Sequence, residues 1–170
     1  HEPDAIVVLD ADTNRLVDVN ENAEGLFGLG REQLLTVGLG ELSPPVQPDG
    51  SPSAERLRQR VDRALNGEPQ IFEWLHRDAF GSELMCEVRL VRLPSGSRRL
   101  VRGSITDISE RKRQERVAAA EHAVFEKLTG NAPLPAVLES ITRLIESEGV
   151  GIMCSVSVLA EDGRGFNYTV

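Results

Sequence analysis

Two side chains in the middle of this chain could do chemistry together: His76 in "IFEWLHRD" and Cys86 in "SELMCEVRLV". A thiol acts as a nucleophile in its thiolate form, and a nearby imidazole is a common base for making one. The two would have to sit on adjacent strands of one sheet. No third group that would orient the imidazole, and no oxyanion site, is visible near either segment. The alternation around Cys86 also puts its thiol on an apolar face, where burial raises its pKa and leaves it inert. Catalysis by this pair is therefore the weaker reading. The indole N–H of Trp74, the His76 imidazole and the Cys86 thiol, set among apolar walls, better suit binding of a small, partly polar ligand.

Other chemistries lose their residues quickly. The chain has three histidines, His1, His76 and His122, and two separated cysteines, Cys86 and Cys154, so no ligand pair has zinc spacing. No metal site is expected, and His1 is either native or an expression remnant. No Walker loop, dinucleotide fingerprint or nucleophile elbow occurs. "GLFGLGREQL" is glycine-rich, but Gly28 and Gly30 punctuate a helix-to-helix turn and no Lys-Ser/Thr follows. A net charge of −8 argues against a nucleic-acid surface, which needs clustered Lys and Arg. No apolar run approaches the roughly 20 residues that span a bilayer. Two lone thiols suit a reducing, cytoplasmic setting.

The elements that must position Trp74, His76 and Cys86 follow from periodicity. "DAIVVLDADTNRLVDVNENA" predicts a hairpin of strands Ala5–Leu9 and Arg15–Val19, with Asn20 capping a short helix, Glu21–Phe27. A second short helix, Glu32–Leu35, follows. Leu42–Ser53, rich in proline, must be a loop. "SAERLRQRVDRALNG" predicts an amphipathic helix with Leu57, Val61, Ala64 and Leu65 inward, Ser53 as its cap and Asn66-Gly67 as its end. Three antiparallel strands come next: Gln70–Arg77, Glu83–Leu93 and Arg98–Ile108. Period-2 alternation turns Phe72, Trp74 and His76 inward, with Leu84, Cys86, Val88 and Leu90, and Val101, Gly103 and Ile105 from the neighbours.

"SITDISERKRQE" then hands the last strand directly to a charged helix, Ser109–Leu128. Its thin apolar stripe, Val117, Ala120, Val124 and Leu128, suits a two-stranded contact. Pro135–Ser147 is a second amphipathic helix, and the tail reads as a hairpin around Asp162-Gly163 with an apolar edge strand, Ile152–Leu159. One helix and a hairpin cannot bury a core alone. The given chain is therefore expected to stop inside a second domain.

The order of elements, together with "LDADTNRLVDVNENAEGLFG" and "GSITDISERK", resembles the PAS family. The first stretch is similar to the family's opening, where an Asn ends the second strand and starts the first helix. The second is similar to its closing motif, with Ser109 where the family has Thr, which keeps a hydroxyl cap. The resemblance implies an α+β PAS fold over residues 1–108, a five-stranded antiparallel sheet with short helices on one side. It further implies a signalling helix over 109–130, and the tail, 131–170, resembles the start of a GAF domain. PAS followed by GAF implies the front end of a bacterial histidine kinase or cyclic-di-GMP enzyme, with the output domain further along and a homodimer as the working unit.

The same resemblance assigns tentative sites. The inward residues Phe72, Trp74, His76, Leu84, Cys86, Val88, Leu90, Val101, Gly103 and Ile105 would line a ligand pocket. Thr106, Asp107 and Ser109 would pass strain from the last strand into the helix. Haem-binding relatives use a histidine on the long helix, and this one has none, leaving His76 as an unusual axial ligand. Light-sensing flavin relatives carry a reactive Cys ahead of the late strands and a Gln on the last; here no Cys precedes Cys86 and Ile105 takes the Gln position. A redox flavin stacked on Trp74 stays open. The cofactor is thus unknown, either a small organic ligand or none. With none, the fold would serve as a dimerisation spacer, or as a filled core with Trp74 packed and His76 at the rim.

Overall fold

A computed structural model describes residues 4–130, 132–147, 153–159 and 166–169. The chain divides into two compact units between Ser109 and Glu110. The first holds strands β1 (Ala5–Asp10) and β2 (Arg15–Val19), helices α1 (Glu21–Phe27) and α2 (Arg31–Thr36), and a short 3₁₀ turn, Leu39–Leu42. Helix α3 (Ser53–Leu65) and strands β3 (Gln70–Arg77), β4 (Glu83–Leu93) and β5 (Leu100–Asp107) complete it. The strands form one sheet in the order β2-β1-β5-β4-β3, antiparallel throughout.

One sheet face is apolar at every second residue, and the helices cover it. Val7, Leu9, Phe72, Trp74, Val88, Leu90, Val101 and Ile105 pack there against Phe27 of α1, Leu34 of α2 and Val61 and Ala64 of α3. The opposite face carries Ile71, Glu73, Arg89 and Arg102, which are exposed. This is the pattern expected of an antiparallel sheet with one solvated side.

Local polar groups fix the corners. The Asp10 carboxylate accepts the Asp12 and Thr13 amides and pairs with Arg98 at 2.7 Å, closing the β1–β2 turn. That Arg98 bond holds the Asp10 pKa below the usual carboxylate range. Asn14 takes the left-handed conformation the turn requires (φ 55°), which asparagine tolerates. Asn20 Oδ1 accepts both the Ala23 amide at the start of α1 and the Ile6 amide of β1, so one side chain caps a helix and ties it to the sheet. Gly28 ends α1 at φ 65°, with the Phe80 ring close over it.

Several expected boundaries move. Helix α2 runs from Arg31 to Thr36, its start held by Gln33 Oε1 on the Gly30 amide. Strand β5 begins at Leu100 and ends at Asp107. Ser53 does not cap α3: the capping position is Pro52, and the Ser53 hydroxyl instead donates to the Pro44 carbonyl at 2.6 Å.

The second unit consists of α4 (Ser109–Thr129) from Glu110 onward, α5 (Leu134–Ser147) and a hairpin of β6 (Ser157–Leu159) and β7 (Phe166–Thr169). No residue of α4 is buried, and Phe125 and Leu128 are largely exposed. Lys127 Nζ donates to Ser140 Oγ and the Ala136 carbonyl, joining α4 to α5. The edge strand expected from Ile152 is shorter: residues 153–156 are irregular, and β6 pairs with β7. Ile152 and the Asp162-Gly163 turn lie outside the described residues.

Candidate ligand cavity and strand-to-helix junction

Between the sheet and α3 lies a cavity of about 40 Å³. Phe72, Trp74 and His76 of β3, Val88 and Leu90 of β4, and Val101, Gly103 and Ile105 of β5 line it. Leu84 and Cys86 do not. Leu84 borders a separate cleft beside α1, with Asn22, Thr106 and Asp107. Cys86 is fully buried, and its thiol contacts the Leu84 carbonyl at 3.7 Å.

Other walls come from segments that reading the late strands alone overlooks: Val7 and Leu9 of β1, Leu16 of β2, Phe27, Leu42, and Leu57 and Val61 of α3. The alternation in β1 and the i,i+4 pair on α3 carried that signal. A cavity this size has room for one or a few water-sized groups, far below the ~300–1,000 Å³ of usual ligand sites.

The polar atoms of this interior are nearly all spoken for. Trp74 Nε1–H donates to Ser43 Oγ at 2.9 Å. Gln47 pairs with both backbone groups of Leu75, accepting its amide at 2.8 Å and donating to its carbonyl at 3.2 Å. The proline-rich loop is thereby strapped along β3, the edge strand, and that part of the edge is closed to pairing with other chains. Neither Ser43 nor Gln47 could be singled out from sequence, because a loop polar residue gives no periodic sign of burial.

His76 is the exception. It is 8% exposed, so it does not sit at a solvent-facing rim. Its ring stands edge-on to Phe27 at 5.3 Å, and Nδ1 lies 2.9 Å from the Leu42 carbonyl oxygen. A carbonyl only accepts, so Nδ1 carries the proton and Nε2 presents a lone pair. Among the described residues no protein donor reaches Nε2. Burial drives the His76 pKa down to about 4, against a smaller upward pull from the Leu42 carbonyl, so the ring is neutral at physiological pH.

The thiol–imidazole pair is not assembled. Cys86 stands opposite Trp74 in the β3–β4 register, while His76 stands opposite Leu84. Burial, aided by the Asp107 charge, pushes the Cys86 pKa up to about 12, the reverse of what a nucleophile needs.

At the end of β5 the ladder to β4 continues one step through a side chain. Ile108 N–H donates to the Met85 carbonyl at 2.8 Å, and Met85 N–H donates to Ser109 Oγ at 3.0 Å. Asp107 Oδ1 accepts the Ser109 amide at 2.8 Å. The expected roles are thus divided: Asp107 holds the first amide of α4, and the Ser109 hydroxyl serves the sheet instead of capping the helix. Thr106 Oγ1 donates to Asp4 at 2.7 Å.

The family model describing the PAS fold matches residues 1–113. The chain belongs to the PAS family. Among solved structures, this PAS domain is similar to a domain of a sensory box sensor histidine kinase/response regulator from Geobacter sulfurreducens. The two are 28% identical, with a TM-score of 0.50, covering 63% of this chain and 85% of that one. It is also similar to the PAS domain of an HTR-like protein from Haloarcula marismortui, at 26% identity, a TM-score of 0.50 and coverage of 64% and 84%. A blue-light activated histidine kinase from Erythrobacter litoralis shares the fold alone: 20% identity, a TM-score of 0.53, and coverage of 74% of this chain and 41% of that chain. No curated protein matches the chain. Among the described residues no helix is long and apolar enough to cross a membrane. PAS domains are generally sensory modules and not catalysts, and they often dimerise.

Proposed function

We propose that this PAS domain is the sensory module of a larger bacterial signalling protein, detecting a small molecule or a redox cue and reporting it through α4. The observation that carries this reading is the junction. β5 lines the cavity with Val101, Gly103 and Ile105, and two and four residues later Asp107 and Ser109 bind the start of α4 and the neighbouring strand at once. A change in the cavity that shifts β5 would reach the helix through these bonds, biasing a two-state equilibrium. Beyond α4, the amphipathic α5 and its hairpin support a reading as the beginning of a GAF-like domain, with a histidine kinase or cyclic-di-GMP enzyme as output. The acidic net charge supports protein or small-molecule partners over nucleic acid, and the free thiols support a cytoplasmic setting. The exposed apolar residues of α4 favour a homodimer. Haem or flavin would need several times the present cavity volume.

A second reading has its own support. The small cavity also fits a ligand-free PAS domain acting as a dimerisation spacer. Native mass spectrometry separates the two. A co-purified small-molecule mass supports the sensor; bare protein at twice the chain mass supports the spacer; bare monomer at micromolar concentration sinks both.

A further inference from the structure

Among the described residues that line the interior, one side-chain polar atom has no protein partner, and that atom is an acceptor. Trp74 Nε1–H already donates to Ser43 Oγ, and among the described residues no charged side chain lines the cavity. His76 is over nine-tenths buried, its ring forms part of the cavity wall, and Nε2 finds no donor. Leaving such an atom unpaired costs free energy that a ligand could recover. A carboxylate or an ammonium group would instead meet apolar walls and no counter-charge.

The route in is also marked. A surface cleft of about 730 Å³ lies beside α3, where Ala11, Arg58, Asp62 and Arg99 are found. Leu57 and Val61 border both this cleft and the inner cavity, so these two side chains stand between them. Leu57 is only half-buried, and moving it would join the two spaces.

We propose that the interior accepts a small, uncharged, mostly apolar molecule carrying one hydrogen-bond donor, which enters past Leu57 and Val61 and donates to His76 Nε2. This rests on the sensor reading above and names the ligand class it requires.

The test uses two probes of one shape, phenol and toluene, differing in a hydroxyl donor. Trp74, the chain's single tryptophan, lines the cavity and reports binding by fluorescence. Titrations are run in the whole chain and in His76→Phe, each with and without Leu57→Ala so that size does not limit entry. The phenol-to-toluene affinity ratio is expected to fall about tenfold when His76 is replaced, the worth of one buried hydrogen bond. An unchanged ratio, or no binding of either ring with Leu57→Ala, overturns the proposal. The ¹⁵N spectrum of the His76 imidazole gives an independent check: protonation at Nδ1 is expected, and protonation at Nε2 overturns it. A charged ligand found by mass spectrometry would overturn this inference yet leave the sensor reading standing, whereas a ligand-free dimer would remove the sensor reading itself.

Discussion

Acid should weaken this domain in a window set by one residue. His76 has a pKa of about 4 when folded and 6.5 as its ordinary value. Between those limits the unfolded chain takes up a proton that the folded chain refuses, so stability falls as pH falls from 6.5 toward 4, and this loss levels off below. At about 1.4 kcal/mol per pH unit the whole gap is worth about 3 kcal/mol. Roughly 2 to 3 kcal/mol of this is lost between about pH 7.5 and about pH 4.5. That is a large share of a small domain's ~5–15 kcal/mol. Urea unfolding followed by circular dichroism at both pH values, on wild type and His76→Phe, measures it. The variant keeps an aromatic ring beside Phe27, carries no titrating group there, and should lose that much less stability on acidification. The buried carboxylate Asp10 does not confound the comparison. Its pKa is lowered from 3.8, so its contribution fades only as pH falls through that still lower value. Equal losses for the two proteins would refute the assignment of His76 as a buried neutral base.

The Cys86 thiol, with a pKa pushed up from 9.0 to about 12, should carry a thiolate fraction about a thousandfold below its ordinary one. Iodoacetamide should therefore label the half-buried Cys154 first, read by peptide mass mapping, and prior labelling of Cys86 would contradict its burial. Asn20→Ala removes the acceptor for two amides, Ile6 and Ala23, and should cost about 1–3 kcal/mol in denaturant unfolding. A loss under ~0.5 kcal/mol would show that water replaces it. Replacing Val117, Val124 and Leu128 with Ser should weaken self-association in sedimentation; unchanged association would take α4 out of the dimer contact.

How much of this was legible in the sequence depends on what makes a pattern. The period-2 alternation of β3, β4 and β5 gave the buried face correctly, because a strand's side chains can only point two ways. Asn20 was readable as a helix cap, but its second bond to Ile6 was not, since nothing local says that β1 runs beside it. Ser53 looked like a cap for the same local reason, and a tertiary partner, the Pro44 carbonyl, claimed its hydroxyl. Leu84 and Cys86 share the inward face with Val88, yet they lie toward the end of β4 where α1 and the junction lie, so facing inward did not place them at the cavity. His76 was readable as inward, but its lone Nε2 depends on Leu42, thirty-four residues away along the chain.

The sensor reading proposed above requires the cavity and the start of α4 to move as one through β5. Gly103→Ala tests it most directly. A Cβ at Gly103 would come to 3.0 Å from Val7 Cγ2 and 3.5 Å from Leu90 Cδ2, pressing on β1 and β4 from inside the cavity with no new group near the junction. Amide hydrogen exchange of Met85, Ile108 and Ser109, whose bonds tie β4 to the start of α4, should change severalfold in the variant, while amides of the β1–β2 turn held by Asp10 stay as they were. Unaltered exchange at all three junction amides, in a variant whose Val7 resonances have moved, would contradict the coupling and leave the helix uninformed of what the cavity holds.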